Sequence, residues 1–368
     1  MPKFTAFVLA LLFICGCGPL PTKKEYIFPV QRGIQTPLTQ SWVVSENKIF
    51  HNGNEITLKG ISWFGFETNN LVVHGLWTGR SMDSFLKQIH SLGFNALRVP
   101  ISPQAIDPNY PSQQGKPKAI DNLKELIKLA KDNELYVLID IHNCNYNAGS
   151  QTGKPDNCGG YTLDNWYSNL KDLALLARDY DNIVGIDLYN EPYKLSWLQW
   201  RSLVNKGSEV ILAVNSNLLI FVEGVGGEAT SNNGYNAFWG ENLVEAEKYP
   251  LSVPKNKLVF SPHTYGPSVY NQDYFSDPNF PNNMPKIWDA HFGFLAAKYP
   301  LAVGEFGGRY DGKDKIWQDA FIEYLKNKNM SFFYWCLNPN SGDTGGILLD
   351  DWQSVNQNKM KLLQKVLN

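Results

Sequence analysis

Glu191 and Glu305 are the residues best placed to do chemistry in this chain. Each follows a short apolar run: Ile183 to Tyr189 before Asn190-Glu191-Pro192, and Leu301 to Val303 before Gly304-Glu305-Phe306-Gly307-Gly308. Proline has no backbone N–H to give a sheet ladder, so Pro192 marks a strand end. The carboxyl ends of strands are where α/β folds gather reactive side chains. A lone Asn-Glu-Pro fits a plain polar strand terminus equally well. A second carboxylate in the same setting shifts the reading to a working pair. Hydrolysis of a glycosidic bond needs such a pair, one carboxyl to protonate the leaving oxygen and another to act as nucleophile or base.

The elements that must position the pair can be read in order. Trp42 to Leu58 carries an Asn52-Gly53 turn between apolar runs, which predicts an amino-terminal β-hairpin cap. From Lys59 onward short apolar strands alternate with helical stretches. The strands are Gly60–Phe64, Phe94–Val99 (ended by Pro100), Leu135–Ile141, Ile183–Tyr189, Leu218–Val222, Leu258–Ser261, Leu301–Val303 and Phe332–Trp335. The helices are Ser81–Leu92, Asn122–Asn133, Leu163–Tyr180, Trp197–Val214, Pro285–Lys298, Lys315–Lys328 and Trp352–Leu367. Met82, Phe85, Leu86, Ile89 and Leu92 form one face of the first helix. Eight strands in this alternation predict a single (β/α)₈ TIM barrel. An open doubly wound sheet would want a Gly-x-Gly-x-x-Gly after its first strand, and none follows.

In a barrel, polar residues at the strand ends converge on one face. They are Trp63, Arg98, His142, Asn190 and Glu191, Glu223, His263 and Tyr265, Glu305, and Trp335. Strands four and seven lie nearly opposite, so Glu191 and Glu305 face each other across a bound bond. Arg98 and Tyr265 would keep Glu305 ionised. Burial and a neighbouring carboxylate would let Glu191 hold a proton near neutral pH. Glu223 looks as reactive as Glu191 by position alone. Asp187, inside its strand, is expected to pair with a neighbouring barrel side chain.

The chain resembles the endoglucanases of glycoside hydrolase family 5 from about Lys59 to Trp352. The resemblance rests on Trp63-Phe64-Gly65-Phe66-Glu67-Thr68, Val73-His74-Gly75-Leu76-Trp77, Leu97-Arg98-Val99-Pro100, Asn190-Glu191-Pro192, Phe221-Val222-Glu223-Gly224-Val225, His263-x-Tyr265, Gly304-Glu305-Phe306-Gly307, and Asn338-Pro339 with Ser341-Gly342-Asp343-Thr344-Gly345-Gly346-Ile347. It implies Glu191 as acid/base, Glu305 as nucleophile and Glu223 as a supporting residue. It also implies Asn190 on the sugar 2-hydroxyl, Arg98, His142, His263 and Tyr265 around the catalytic subsite, and Trp335 beneath the sugar. Trp77, Trp239 and His74 are further sugar-binding candidates. The family is retaining and independent of metals, so no cofactor or metal is expected. The two carboxyl groups should then lie about 5–5.5 Å apart. The activity implied is an endo-β-1,4-glucanase on cellulose or soluble β-glucans. A β-mannanase, xyloglucanase or mixed-linkage glucanase with the same machinery stays open, as does a barrel that only binds carbohydrate. The Asn143–Gly160 loop is longer and more polar than the family pattern suggests.

Bulk properties agree with a sugar ligand. Eleven Trp and 18 Tyr among 368 residues exceed core needs and suit the apolar faces of sugars. A net charge of -2 leaves no basic footprint, so nucleic acid is not an expected partner. The chain is expected to act as a monomer. Lys3 followed by the apolar run Phe4–Ile14 reads as an export signal, too short to remain as a membrane span. Ile14-Cys15-Gly16-Cys17 resembles a bacterial lipoprotein cleavage box, with Cys17 as the lipidated residue; an ordinary secretory signal is the alternative. On this reading residues 1–17 are the signal, 18–40 a flexible tether and 41–368 the catalytic domain, secreted or lipid-anchored at the bacterial surface. Cys144 and Cys158 share one loop and suit a disulfide across it, while Cys336 reads as a buried small residue.

Overall fold

The computed structural model describes residues 42–149, 152–226 and 234–368. The expectations placed on residues 1–40, including the signal and Cys17, lie outside the described residues. No helix among the described residues is long and apolar enough to cross a membrane.

The chain opens with an antiparallel meander, β1 (Trp42–Ser45), β2 (Lys48–His51) and β3 (Asn54–Ile56). Asn52 and Gly53 both adopt positive φ (54° and 81°) in the β2–β3 turn, as a two-residue hairpin requires. The cap therefore has three strands, one more than a hairpin. Trp42, Val44 and Ile49 face inward and join Ala96, Leu138, Val184, Phe221, Val259, Ala302 and Phe333 in one apolar cluster. These partners sit within barrel strands, several at their amino-terminal ends, so the cap plugs the bottom of the barrel. The Lys257 ammonium donates to the Trp42 carbonyl (2.5 Å) and holds it there.

Eight parallel strands follow: β4 (Lys59–Ser62), β5 (Ala96–Ile101), β6 (Tyr136–Ile141), β7 (Ile183–Asp187), β8 (Leu219–Val222), β9 (Leu258–Phe260), β10 (Ala302–Phe306) and β11 (Ser331–Tyr334). Their order is β10-β11-β4-β5-β6-β7-β8-β9. Bridges Phe260–Leu301 and His263–Glu305 join β9 to β10 and close the ring. This is a (β/α)₈ barrel. Every residue of β5, β7 and β8 is buried, as strands covered on both faces must be.

Among the described residues seven α-helices cover the barrel: α1 (Met82–Ser91), α2 (Ala119–Asp132), α3 (Leu163–Leu176), α4 (Trp197–Val214), α5 (Met284–His291), α6 (Gly312–Lys328) and α7 (Gln357–Leu367). Ser81, Thr162, Ser196 and Asn356 cap four of them with side-chain acceptors for early backbone N–H groups. Among the described residues, the β8–β9 connection holds no α-helix.

Several boundaries differ from the sequence reading: β7 stops at Asp187, β10 runs on through Glu305 to Phe306, α2 begins at Ala119 and α5 ends at His291. β5 runs through Pro100 to Ile101, because it has already outrun β4, whose last pair is Ser62–Arg98. A missing N–H costs little on an unpaired side. The last helix starts at Gln357; Trp352 instead sits in a turn at φ 55° and packs edge-on against Trp77 and Phe85.

Candidate active site

Arg98 is the hub at the carboxyl-terminal mouth. It projects from β5, has no solvent exposure, and meets carboxylates from four other strands or strand ends. Its guanidinium reaches Glu305 Oε1 (2.5 Å), Asp140 Oδ2 (3.1 Å), Asp187 Oδ2 (3.3 Å) and Glu223 Oε1 (3.3 Å), and donates to Asn190 Oδ1 (3.0 Å). Burial alone would lower its basicity, but Asp140, Glu305, Asp187 and Glu223 together raise it well above the usual range. Buried charge on this scale persists only when it is paired and hydrogen-bonded.

Glu191 and Glu305 share one space but sit in opposite environments. Carboxylate oxygens of the two, with a His263 ring nitrogen, lie within 4.8 Å of one another. The Glu191 side chain keeps 18% exposure, whereas Glu223 has none, so Glu191 is the one that opens on the cleft. Glu191 has φ 46°, and its N–H donates to Glu223 Oε2 (2.8 Å). Glu223 thus braces the backbone under Glu191 from behind. Gly240, at φ 75°, lies against Glu223 and His263 so closely that any Cβ would strike the carboxylate. Burial, with the Glu305 and Glu223 charges and against the His263 hydrogen bond, raises the Glu191 carboxyl to about 7.

Burial pushes Glu305 up as well. His263, Arg98 and His142, together with the Tyr265 hydroxyl that donates to Oε2 (2.5 Å), overcome it and hold Glu305 below the usual carboxylate range. His263 stands between the pair, Nδ1 at 3.3 Å from Glu191 and 3.7 Å from Glu305, with Nε2 at 3.1 Å from Glu223. One carboxyl is thus poised to carry a proton near neutrality and the other to stay ionised. That division is what an acid and a nucleophile need.

A row of rings leads away from this centre. His142 stacks on Trp335 (5.7 Å, 5°), Trp335 on Phe64 (5.6 Å, 12°), and Phe64, His74 and Trp77 continue at 5.1 and 5.2 Å. Trp335 is half-buried and Trp77 is 46% exposed, so both offer faces to a ligand. His74 Nδ1 meets Asn340 Nδ2 and Nε2 meets Thr68 Oγ1, both at 3.1 Å. Burial lowers the His74 ring to about 4. Trp239 takes a separate route: it face-stacks on Tyr193 (4.3 Å, 13°), two residues past Glu191.

The structure brings Arg98, His142, Asn190, Glu191, His263, Tyr265, Glu305 and Trp335 into direct or ring contact. His74 and Trp77 extend that row. Cys144 and Cys158 are joined by a disulfide (Cα–Cα 5.8 Å), tying down the loop after β6.

Asp140 escaped the sequence reading. Its Oδ2 lies 2.7 Å from His142 Nδ1 and also contacts Arg98. The available signal was a carboxylate two residues before His142, on the same face of β6. Glu67 escaped too. Its Oε2 accepts from the Gly65 N–H (2.7 Å), and burial raises it to about 7. Asp187, expected to pair within the barrel, pairs with Arg98 and receives the Ser261 hydroxyl (3.4 Å).

Comparison with known proteins places the chain in a family. The family model for cellulase (glycosyl hydrolase family 5) matches residues 51–341. The major extracellular endoglucanase of Xanthomonas campestris pv. campestris is 40% identical over 333 residues, covering 85% of this chain and 68% of that protein. An endoglucanase of Paenibacillus polymyxa is 38% identical over 353 residues, covering 87% and 85%. Among solved structures, an endocellulase of Pyrococcus horikoshii complexed with cellotetraose superposes with a TM-score of 0.85 at 35% identity, covering 91% of this chain and all of that one.

Proposed function

The chain belongs to the cellulases of glycosyl hydrolase family 5, and from that premise we infer how its own residues cut a β-1,4-glucan. It is an endo-β-1,4-glucanase, and it acts with retention of anomeric configuration. Glu305 is the nucleophile: it attacks the anomeric carbon and forms a glycosyl-enzyme ester while the glycosidic C–O bond breaks. Glu191 gives its proton to the departing oxygen, then takes one from the water that hydrolyses the ester. Asn190, held by Arg98, serves the sugar 2-hydroxyl, and Trp335 carries the sugar face. Trp77, His74 and Trp239 are further sugar contacts.

The single observation that carries these assignments is the opposed setting of two carboxylates within 4.8 Å, one raised to about 7 and one lowered. This spacing favours the retaining range over the roughly 6.5–9.5 Å of inverting pairs. The test combines a substrate panel with product stereochemistry. Carboxymethylcellulose should be cut faster than mannan, xyloglucan or xylan, and proton NMR of early cello-oligosaccharide products should show the β-anomer first. An α-anomer at early times overturns the double displacement; faster turnover of mannan overturns the glucan preference.

We place the enzyme outside the cell. The signal-like start of the sequence supports this, as does a relative that is itself extracellular. Lipid attachment at Cys17 is the finer form of the same proposal. Cys17→Ser should move activity from the membrane fraction to the medium and abolish incorporation of labelled palmitate. Unchanged partitioning sinks the anchor and leaves ordinary secretion.

A further inference from the structure

Lys359 is a buried cation outside the carboxylate cluster. It lies on α7 with 2% exposure, behind the loop that follows β11. Its ammonium donates to the carbonyls of Thr344 (2.8 Å) and Gly346 (3.3 Å) and stands 6.0 Å from the Tyr334 ring. Those carbonyls belong to the turn Ser341–Gly346. The same turn receives the Trp335 indole: Nε1–H donates to Ser341 Oγ (3.3 Å), which in turn meets Thr344 Oγ1 (2.7 Å) and Asp343 Oδ1 (3.0 Å). A chain of contacts therefore runs from the helix through the turn to the indole beside His142.

We propose that Lys359 is a positioning residue for glucan binding, whose ammonium seats the 341–346 turn under the Trp335 indole, so that losing the charge loosens the sugar platform. The inference rests on Trp335 being that platform. Two carbonyls aimed at one ammonium need its positive charge to be well satisfied, because charge-assisted hydrogen bonds are about twice as strong as neutral ones. The groups facing Lys359 are few. Asp314 of α6 is buried, with one unpartnered oxygen, and the Tyr334 hydroxyl and Cys336 thiol are uncharged at neutral pH. Arg309 opposes it from the loop after β10 and itself donates to the Gly342 carbonyl. Burial, only partly offset by Asp314, lowers Lys359 to about 8. The turn is thus held by a charge that disappears under mildly alkaline conditions.

The sign can be fixed. Lys359 is protonated and the turn seated below about pH 8; the contact weakens as pH rises through that value. The experiment follows the Trp335 indole ¹H–¹⁵N resonance, assigned with Trp335→Phe, from pH 6 to 10 in the full chain without ligand. Wild type should show a step near pH 8. Lys359→Arg, which stays charged, should keep the low-pH position with no such step. Ser341→Ala, which cuts the link but leaves the lysine, should also lose it. The same step in Lys359→Arg overturns the proposal, as does its absence in wild type.

Cellotetraose affinity supplies the second readout, in a Glu191→Gln background that slows turnover roughly 10³-fold and removes the neighbouring titration. It should fall roughly tenfold across the step, the size expected for a weakened charge-assisted hydrogen bond, and stay level in the Arg variant. An indole step without any cellotetraose binding at pH 6 would count against the glucan reading and in favour of the lysine link.

Discussion

Glu305→Gln should lower turnover of carboxymethylcellulose by roughly 10⁴-fold, about 5.4 kcal/mol of barrier, with little change in melting temperature. The amide keeps the shape of the carboxylate and can still meet the Tyr265 hydroxyl. It cannot attack the anomeric carbon. Its charge is also one of four that surround Arg98, and the other three, Asp140, Asp187 and Glu223, remain to balance the guanidinium. Loss of activity without loss of fold is therefore the expected signature. The measurement pairs steady-state rates with calorimetric melting. A residual rate within tenfold of wild type would remove Glu305 from the nucleophile role. An equal loss in Asp187→Asn at unchanged stability would mean that charge balance around Arg98, rather than attack, sets the rate.

The barrel was legible because its strands are short, almost wholly buried and punctuated by polar residues, and the carboxyl-terminal side of those strands supplies the site. Glu191, Glu305, Arg98 and Tyr265 could be chosen before any contact was known, since each is a polar residue within, or a few residues beyond, a short apolar strand. The distinction between Glu191 and Glu223 was not legible in the same way, for both occupy strand ends. It comes from exposure: Glu223 is sealed between Arg98 and His263, while Glu191 retains an opening to the cleft. Asp140 was hidden by its apolar neighbours on β6, although its spacing from His142 was a usable sign. Lys359 could not be found from sequence. A lysine on an amphipathic helix reads as solvated, and only the turn beneath it, with the carbonyls of Thr344 and Gly346, shows why it is buried. The cap was under-read for a related reason. β1 pairs with β2 through a turn with Glu46 at φ 55°, which carries no Asn-Gly signature.

Glu191→Gln should divide substrates by their leaving groups. Removing a general acid–base residue costs about 10²–10⁴-fold where proton transfer is needed, so cello-oligosaccharides should be cut roughly 10³-fold more slowly. An aryl cellobioside with an acidic phenol leaves without protonation, so formation of the glycosyl-enzyme should proceed near the wild-type rate. The ester should then accumulate, giving a burst of phenol equal to the enzyme present, because no base activates the second water. Azide, a nucleophile that needs no base, should restore turnover and yield the β-azide. The pH profile makes the same assignment independently. With Glu191 raised to about 7, wild-type kcat/KM on oligosaccharides falls as pH rises through that value, because the acid has lost its proton. The acid limb lies below the ordinary carboxylate range, where Glu305 gains one. In the Gln variant the limb near pH 7 should vanish for the aryl substrate while the acid limb stays. Should Glu223→Gln, rather than Glu191→Gln, give the burst and the azide product, the roles of the two glutamates are reversed. The sealed position of Glu223 argues against that, since a proton donor must reach the departing oxygen and Glu223 is spent on Arg98, His263 and the backbone of Glu191.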